Sequence, residues 1–255
     1  MTASADIKLR HIVPSVVTAF AICAGMTSLR MSLEGRLETA LYFILLAVFL
    51  DAADGKLARF LDTASPFGAE LDTLADFFNF GIVPGVLLFN TLYIDTEYAS
   101  LGWLATLVLA VCCALRLARF NLSTKSTEVS LKKDDYFVGV PAPALACLAL
   151  MPIFMHLSGW QNTDLPLVRA AYIIGVGLLA VSTIPTISIK HATIKRAHLP
   201  FAVIAAMLLV VGLMVYTWPT MIAVNCLYLA SLPFSYMSER KYIKATQDNH
   251  AHSAD

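Results

Sequence analysis

Apolar runs recur along the whole chain, separated by short polar breaks and with few charges inside them. A helix of ~20 apolar residues crosses the ~30 Å hydrocarbon core of a bilayer. Eight runs approach that length, at roughly 12–29, 37–54, 70–92, 99–119, 140–157, 167–188, 199–217 and 219–236. The pattern therefore predicts an all-α fold, a polytopic membrane bundle of about eight helices. One membrane domain is expected over 1–240, and the polar segment 241–255 is expected to be a disordered cytoplasmic tail.

Composition agrees with the pattern. The chain is 58% hydrophobic and only 14% charged, and its mean hydropathy is +0.71, which lies outside the soluble globular class. Net charge is zero, so orientation is read from where the cations fall. With the N-terminus placed in the cytoplasm, fifteen of the eighteen Lys and Arg residues lie on that side, and only Arg30, Arg36 and Arg169 on the other. The positive-inside rule then places both termini in the cytoplasm. Lys8 and Arg10 before the first run also look like the start of a signal peptide. Pro14 enters early, however, and no small-residue cleavage site precedes a soluble domain, so the run is expected to remain as a span. The five cysteines (Cys23, Cys112, Cys113, Cys147 and Cys226) lie in or beside spans without a C-x-x-C spacing and read as small apolar packing residues.

One stretch breaks the apolar pattern. DAADGKLARFLDTASPFGAELDTLAD, residues 51–76, holds six carboxylates and two bases. Asp51 and Asp54 are spaced i, i+3 and Asp72 and Asp76 i, i+4, so each pair shares one helix face with side chains ~5–6 Å apart. Asp62 to Pro66 combines turn formers with a helix breaker, which predicts an antiparallel helical hairpin. Folding the chain there brings each aspartate to nearly the depth of a counterpart on the facing helix. Both pairs abut strongly apolar sequence, and an aspartate at depth costs ~2.5–3.5 kcal/mol on insertion scales. Something positive must compensate them, and Lys56 and Arg59 are too few. Carboxylate oxygens favour a hard divalent ion such as Mg²⁺ or Mn²⁺ over zinc. Gly55, Ala58 and Gly68 beside these acids allow either close helix approach or room for a flat ligand against the backbone.

As a pattern, Asp51-x-x-Asp54-Gly55-x-x-Ala58-Arg59, eight residues, then Gly68-x-x-x-Asp72-x-x-x-Asp76 matches every position of the signature of the CDP-alcohol phosphotransferase family. The segments SPFGAELDTLADFFNFGIVPGVLLF, ALRLARFN (114–121) and FVGVPAPA (137–144) resemble its integral-membrane phosphatidylserine synthase branch, and the likeness runs from about residue 10 to 235. The bulky Phe77-Phe78 and Asn79 depart from it, standing where smaller residues are expected. The resemblance implies a two-metal membrane enzyme that moves a phosphatidyl group from CDP-diacylglycerol to the hydroxyl of L-serine and releases CMP. It implies Asp51, Asp54, Asp72 and Asp76 as ligands of Mg²⁺ or Mn²⁺, with Asp76 also the general base. Gly55, Ala58 and Gly68 become the cytidine-pocket positions, and Arg59 pairs with phosphate or braces a metal-binding aspartate. Its expected partners are the two substrates, membrane lipids and a second copy of the chain as a homodimer, with no nucleic acid. The active site is then expected at the cytoplasmic interface, where lipid donor and water-soluble acceptor meet.

A site selective for serine needs a cation beyond those serving the metals. Arg116 and Arg119, i, i+3 at the cytoplasmic end of the fourth span, are the candidates, since a guanidinium suits a carboxylate or phosphate in bidentate fashion. The competing reading is snorkelling anchors. Lys133, with Lys132, is a further candidate against the simpler role of attracting anionic lipid. FVGVPAPA either stiffens the entry to the fifth span or caps the acceptor pocket with backbone groups. Choline, glycerol 3-phosphate or inositol as acceptor keeps the same chemistry. A divalent-cation or proton-coupled transporter is the alternative of another class, because intramembrane carboxylates mark ion pathways. Against it, the acids cluster near one face, and no acid continues the path through the apolar centres of the third to eighth spans.

Overall fold

The structure is a computed structural model and describes residues 12–61, 63, 65–125, 136–160, 165–182, 185–187 and 199–233. In chain order the helices are α1 (Val13–Leu33), α2 (Leu37–Phe60), α3 (Pro66–Asp76), a π-helical segment (Phe77–Ile82), α4 (Val83–Leu92) and α5 (Ala99–Lys125). After them come α6 (Ala142–Ala149), α7 (Met151–Leu157), α8 (Pro166–Val181), α9 (Leu199–Val215) and α10 (217–233). The tail 241–255 and Lys132 and Lys133 lie outside the described residues.

Among the described residues, three helical stretches are long and apolar enough to cross a bilayer alone: Val13–Leu33, Pro66–Leu92 and Ala99–Leu122. Pro166–Val181 and Val203–Val215 are shorter apolar helices. The chain is an integral membrane protein, and α2, although 24 residues long, carries Asp51, Asp54, Lys56 and Arg59 near its end. The sixth apolar run, expected to stay helical to 188, stops at Val181. Pro185 disfavours helical backbone just before it, and the chain instead enters a short strand, β2 (Pro185–Ile187). This strand pairs antiparallel with β1 (Tyr136–Val138), Val138 opposite Pro185, as a two-stranded ribbon in an otherwise helical fold.

The tight antiparallel hairpin is made by α1 and α2, not by α2 and α3 as the acid spacing suggested. Their buried faces are built from small residues: Thr18, Ala21, Gly25 and Ser28 on α1, Ala40 and Ala47 on α2. Small side chains let helix backbones approach in lipid, where van der Waals packing and interhelical hydrogen bonds replace the hydrophobic drive. Two such bonds fix the register. The Ser28 hydroxyl donates to the Ala40 carbonyl at 2.7 Å, and the Thr18 hydroxyl donates to the Asp54 carboxylate at 2.5 Å. Packing is much more extensive between α1 and α2 than between α2 and α3, and α1 also lies against α3 and α4. The chain leaves α1 through Gly35, whose φ of 74° suits glycine.

Prolines decide where the other helices bend. Pro152 cannot donate to the carbonyl four residues back, so the fifth run breaks into α6 and α7 at Leu150. The freed Leu148 carbonyl accepts a hydrogen bond from the Tyr172 hydroxyl at 2.9 Å. Likewise Pro84 would collide with the Phe80 carbonyl in a regular helix, and the turn before it widens into the π segment. Such wide turns concentrate at functional sites, and this one begins directly after Asp76. The core lies beyond it, where Phe80 and Leu87 meet Leu109 on α5, Leu145 on α6 and Phe154 on α7, all fully buried. In contrast, α9 exposes Phe201, Leu208 and Met214, as a helix apolar on every side does in lipid.

At Gly25 a Cβ would overlap the Asn79 side-chain oxygen, whereas Gly175 has nothing within 4 Å of the same position. Gly25→Val is therefore expected to destabilise the protein by about 1–3 kcal/mol through overpacking, with Gly175→Ala close to neutral. Thermal unfolding in detergent micelles measures both.

Candidate active site

The site forms at the end of the bundle where α1 begins, α2 ends and α3 begins. Ser65 starts α3: its hydroxyl accepts a hydrogen bond from the Gly68 amide at 3.0 Å, and Pro66 occupies the first turn. Serine as N-cap followed by proline is a strong helix start, and it sets α3 apart from α2 rather than against it. The opening between them is a pocket of about 150 Å³, closed on its third side by Pro14, Ser15 and Thr18 of α1. Asp54, Gly55 and Ala58 of α2 line one wall, and Gly68, Ala69 and Asp72 of α3 the other. Thr63 and Ser65 line it from the connecting turn. Nothing lies within 4 Å of a Cβ placed on Gly55. Of the two readings of the small residues, room for a ligand applies to α2, and close helix approach belongs to α1.

Asp51, Asp72 and Asp76 each place one carboxylate oxygen within 4.8 Å of the others'. Asp54, 4% exposed, faces the pocket beside them with its carboxylate held by Thr18. Among the described residues no ion pair neutralises the four. The guanidinium of Arg59 donates instead to the Gly55 carbonyl of its own helix at 2.9 Å, on the outside of the pocket wall. Among the described residues Arg59 thus makes no hydrogen bond to a carboxylate of the cluster. The buried Oδ1 of Asp76 has no hydrogen-bond partner among the described residues. Leaving such an acceptor unpaired is costly, and adjacent carboxylates in a water-poor segment repel each other. A hard divalent cation accounts for both features, because it takes several oxygen ligands and brings the missing charge. The donor set fits Mg²⁺ or Mn²⁺.

The two arginines expected to act together are divided. The Arg119 guanidinium donates to the Val181 carbonyl at 2.7 Å and the Ser182 carbonyl at 3.1 Å, tying down the C-terminus of α8, where a cation also complements the helix dipole. Gly139 packs into the same corner: a Cβ there would lie 2.8 Å from the Ala180 carbonyl, and its φ is 85°. The FVGVPAPA segment thus braces α8 at this point. Arg116 lies within the electrostatic reach of Asp76, and its Nε is buried without a partner among the described residues.

Three contributions were not read from the sequence. Thr18 supplies the clamp on Asp54, and its only signal was a hydroxyl residue inside an apolar run. Asn121 donates through Nδ2 to the Thr73 hydroxyl at 3.1 Å, joining α5 to α3 next to Asp72. Tyr228 on α10 has a buried hydroxyl without a partner among the described residues, within the electrostatic reach of Arg116.

Comparison with known proteins bears on this geometry. The family model described as CDP-alcohol phosphatidyltransferase matches residues 11–179. The chain is 34% identical over 235 residues to a Mycobacterium leprae protein named CDP-diacylglycerol–serine O-phosphatidyltransferase, covering 90% of this chain and 76% of that one. A Helicobacter pylori protein of the same name is 31% identical over 179 residues, 68% of this chain and 71% of its own. A Methanocaldococcus jannaschii protein, also so named, is 34% identical over 142 residues, 55% and 60% of the two chains.

Mn²⁺ at a hundredfold excess over its Kd is expected to stabilise the protein by about 2.7 kcal/mol. Asp76→Asn should lose most of that gain. In chelator the same variant should be more stable than the native chain, because it relieves repulsion among uncompensated carboxylates. Melting curves of both proteins with Mn²⁺ and with EDTA test the pair of expectations.

Proposed function

The chain belongs to the CDP-alcohol phosphatidyltransferase family, and on that premise we propose that it transfers the phosphatidyl group of CDP-diacylglycerol to the hydroxyl of L-serine, yielding phosphatidylserine and CMP. The observation that carries this reading is the convergence of Asp54, Gly55, Ala58, Gly68 and Asp72 on one pocket beside the Asp51, Asp72 and Asp76 carboxylates. The names of the relatives favour serine as acceptor.

The bare wall of Gly55 and Ala58 admits the cytidine, and Gly68 does the same from α3. The N-terminal turn of α3 presents amides to the pyrophosphate, as helix N-termini do to anions. Asp51, Asp54, Asp72 and Asp76 would hold the divalent ions, which when bound neutralise the pyrophosphate and lower the cost of charge on the departing CMP. Asp76 is the one of the four whose charge acts on Arg116, and it takes the proton of the acceptor hydroxyl. The hydroxyl oxygen forms a bond to the phosphorus that bears diacylglycerol. The bond from that phosphorus to the bridging oxygen breaks, and CMP leaves with the electron pair. Direct displacement needs no nucleophile from the protein.

Placement in the membrane follows the same reading. Fifteen of eighteen basic residues fall on the cytoplasmic side of the proposed topology, with both termini cytoplasmic and the pocket opening at that interface. The donor's acyl chains then stay in the bilayer, and the enzyme works as a homodimer.

The test is CMP release by the purified protein given CDP-diacylglycerol, Mg²⁺ or Mn²⁺ and, in separate reactions, serine, choline, glycerol 3-phosphate or inositol. Turnover with serine is expected; turnover with another alcohol alone would overturn the assignment. Gly55→Leu should raise the KM for CDP-diacylglycerol at least tenfold, corresponding to about 1.4 kcal/mol. Its thermal stability should stay within about 0.5 kcal/mol of the native protein, since the new side chain enters open space. Steady-state kinetics with a melting curve separates the two effects.

A further inference from the structure

Five buried side-chain polar atoms lack a hydrogen-bond partner among the described residues, and three of them, Asp76 Oδ1, Arg116 Nε and the Tyr228 hydroxyl, belong to residues linked electrostatically through Arg116. They come from α3, α5 and α10, elements far apart in sequence. Asp76 and Tyr228 both act on the Arg116 charge, and Arg116 acts on each of them. Loose packing of α10 does not explain the orphaned hydroxyl. One turn earlier the Asn225 amide donates to the Cys147 carbonyl at 2.8 Å, and one turn later the Ser231 hydroxyl donates to the Tyr228 carbonyl at 2.7 Å. A ring needed only for packing would be served by phenylalanine, because a buried tyrosine normally finds a partner for its hydroxyl.

The missing partner is defined by its chemistry. Arg116 offers N–H donors with a positive charge, Tyr228 one O–H donor, and Asp76 an acceptor. An α-amino acid with a side-chain hydroxyl brings its carboxylate to Arg116 and Tyr228 and turns its hydroxyl toward the Asp76 carboxylate. An alcohol without the carboxylate leaves Arg116 and Tyr228 unpaired in a desolvated site, which is the kind of mismatch that gives strong discrimination. Arg119 does not compete for the anion, since its guanidinium is committed to the end of α8.

We propose that Tyr228 is a specificity-determining residue of the acceptor site, its hydroxyl and Arg116 Nε together holding the carboxylate of a hydroxy amino acid whose hydroxyl faces Asp76. This inference rests on the reading of the chain as a phosphatidyltransferase to serine. It adds to that reading a residue outside the signature and outside the span 11–179 matched by the family model.

Tyr228→Phe removes one oxygen atom and keeps the ring. A hydrogen bond to a charged group is worth enough to change affinity about ten- to a hundredfold. The KM for L-serine is expected to rise by that factor, with kcat at saturating serine and the KM for CDP-diacylglycerol each within about twofold of the native values. A group that holds the acceptor equally in ground state and transition state produces this split, because its loss weakens binding and leaves the chemical step unchanged. Arg116→Lys should also raise the serine KM, and the double variant should lose less than the product of the two, because both groups act on one carboxylate. An unchanged serine KM in Tyr228→Phe, or an equal loss in donor KM and kcat, overturns the inference while leaving the serine assignment intact. If the native protein ignores serine and uses a carboxylate-free alcohol, the assignment itself fails before any variant is examined.

Discussion

Carboxylates that face one another where water is scarce repel, and each resists leaving water. The working end of this protein holds four of them with no ion pair to them among the described residues. Asp51, Asp72 and Asp76 come within 4.8 Å of one another, Asp54 lies beside them in the pocket wall, and the two basic residues in the same stretch contribute no ion pair to them. Under the proposed function, divalent ions would relieve this repulsion.

The helix that holds this arrangement carries none of the carboxylates. α1 packs its small-residue face along α2, clamps Asp54 through Thr18 and closes the pocket with Pro14 and Ser15. Its Gly25 makes room for Asn79 in the π segment, so the same helix also packs against the segment that follows Asp76. α3 is fixed at one end by its Ser65 cap and further along by Thr73 on Asn121. Held from both sides, α2 and α3 leave a pocket open between them while the carboxylates of Asp51, Asp72 and Asp76 converge. Distance between the walls, rather than direct packing of one on the other, is what the fold sets.

Much of this was legible in the sequence because lipid imposes simple rules. Long apolar runs must be helical, and the i, i+3 and i, i+4 spacing of the aspartates fixes which face they share. Asp51, Asp72 and Asp76 did converge, and Gly55, Ala58 and Gly68 did line one pocket with Asp54. The antiparallel pairing of α2 with α3 was not as read, because matched depth says nothing of what stands between two helices. The partner that intervenes, α1, carries its information in Thr18, Gly25 and Ser28, which look like ordinary small residues until a partner is placed against them. Arg116 and Arg119 show the same limit. Their spacing suggested a common task, yet Arg119 is tied to the carbonyls at the end of α8, a helix some sixty residues away in sequence, while Arg116 lies in the electrostatic field of Asp76. Tyr228 could not be found by spacing at all, since its relation to Arg116 exists only once α10 is packed.

The proposed function requires Asp51, Asp72 and Asp76 to share divalent cations at the end of the pocket. Anomalous diffraction from crystals grown with Mn²⁺ tests it most directly. The account predicts manganese peaks within coordination distance of carboxylate oxygens from all three residues. Saturating Mn²⁺ that leaves these oxygens without a peak, or peaks confined to other acidic side chains, would contradict it.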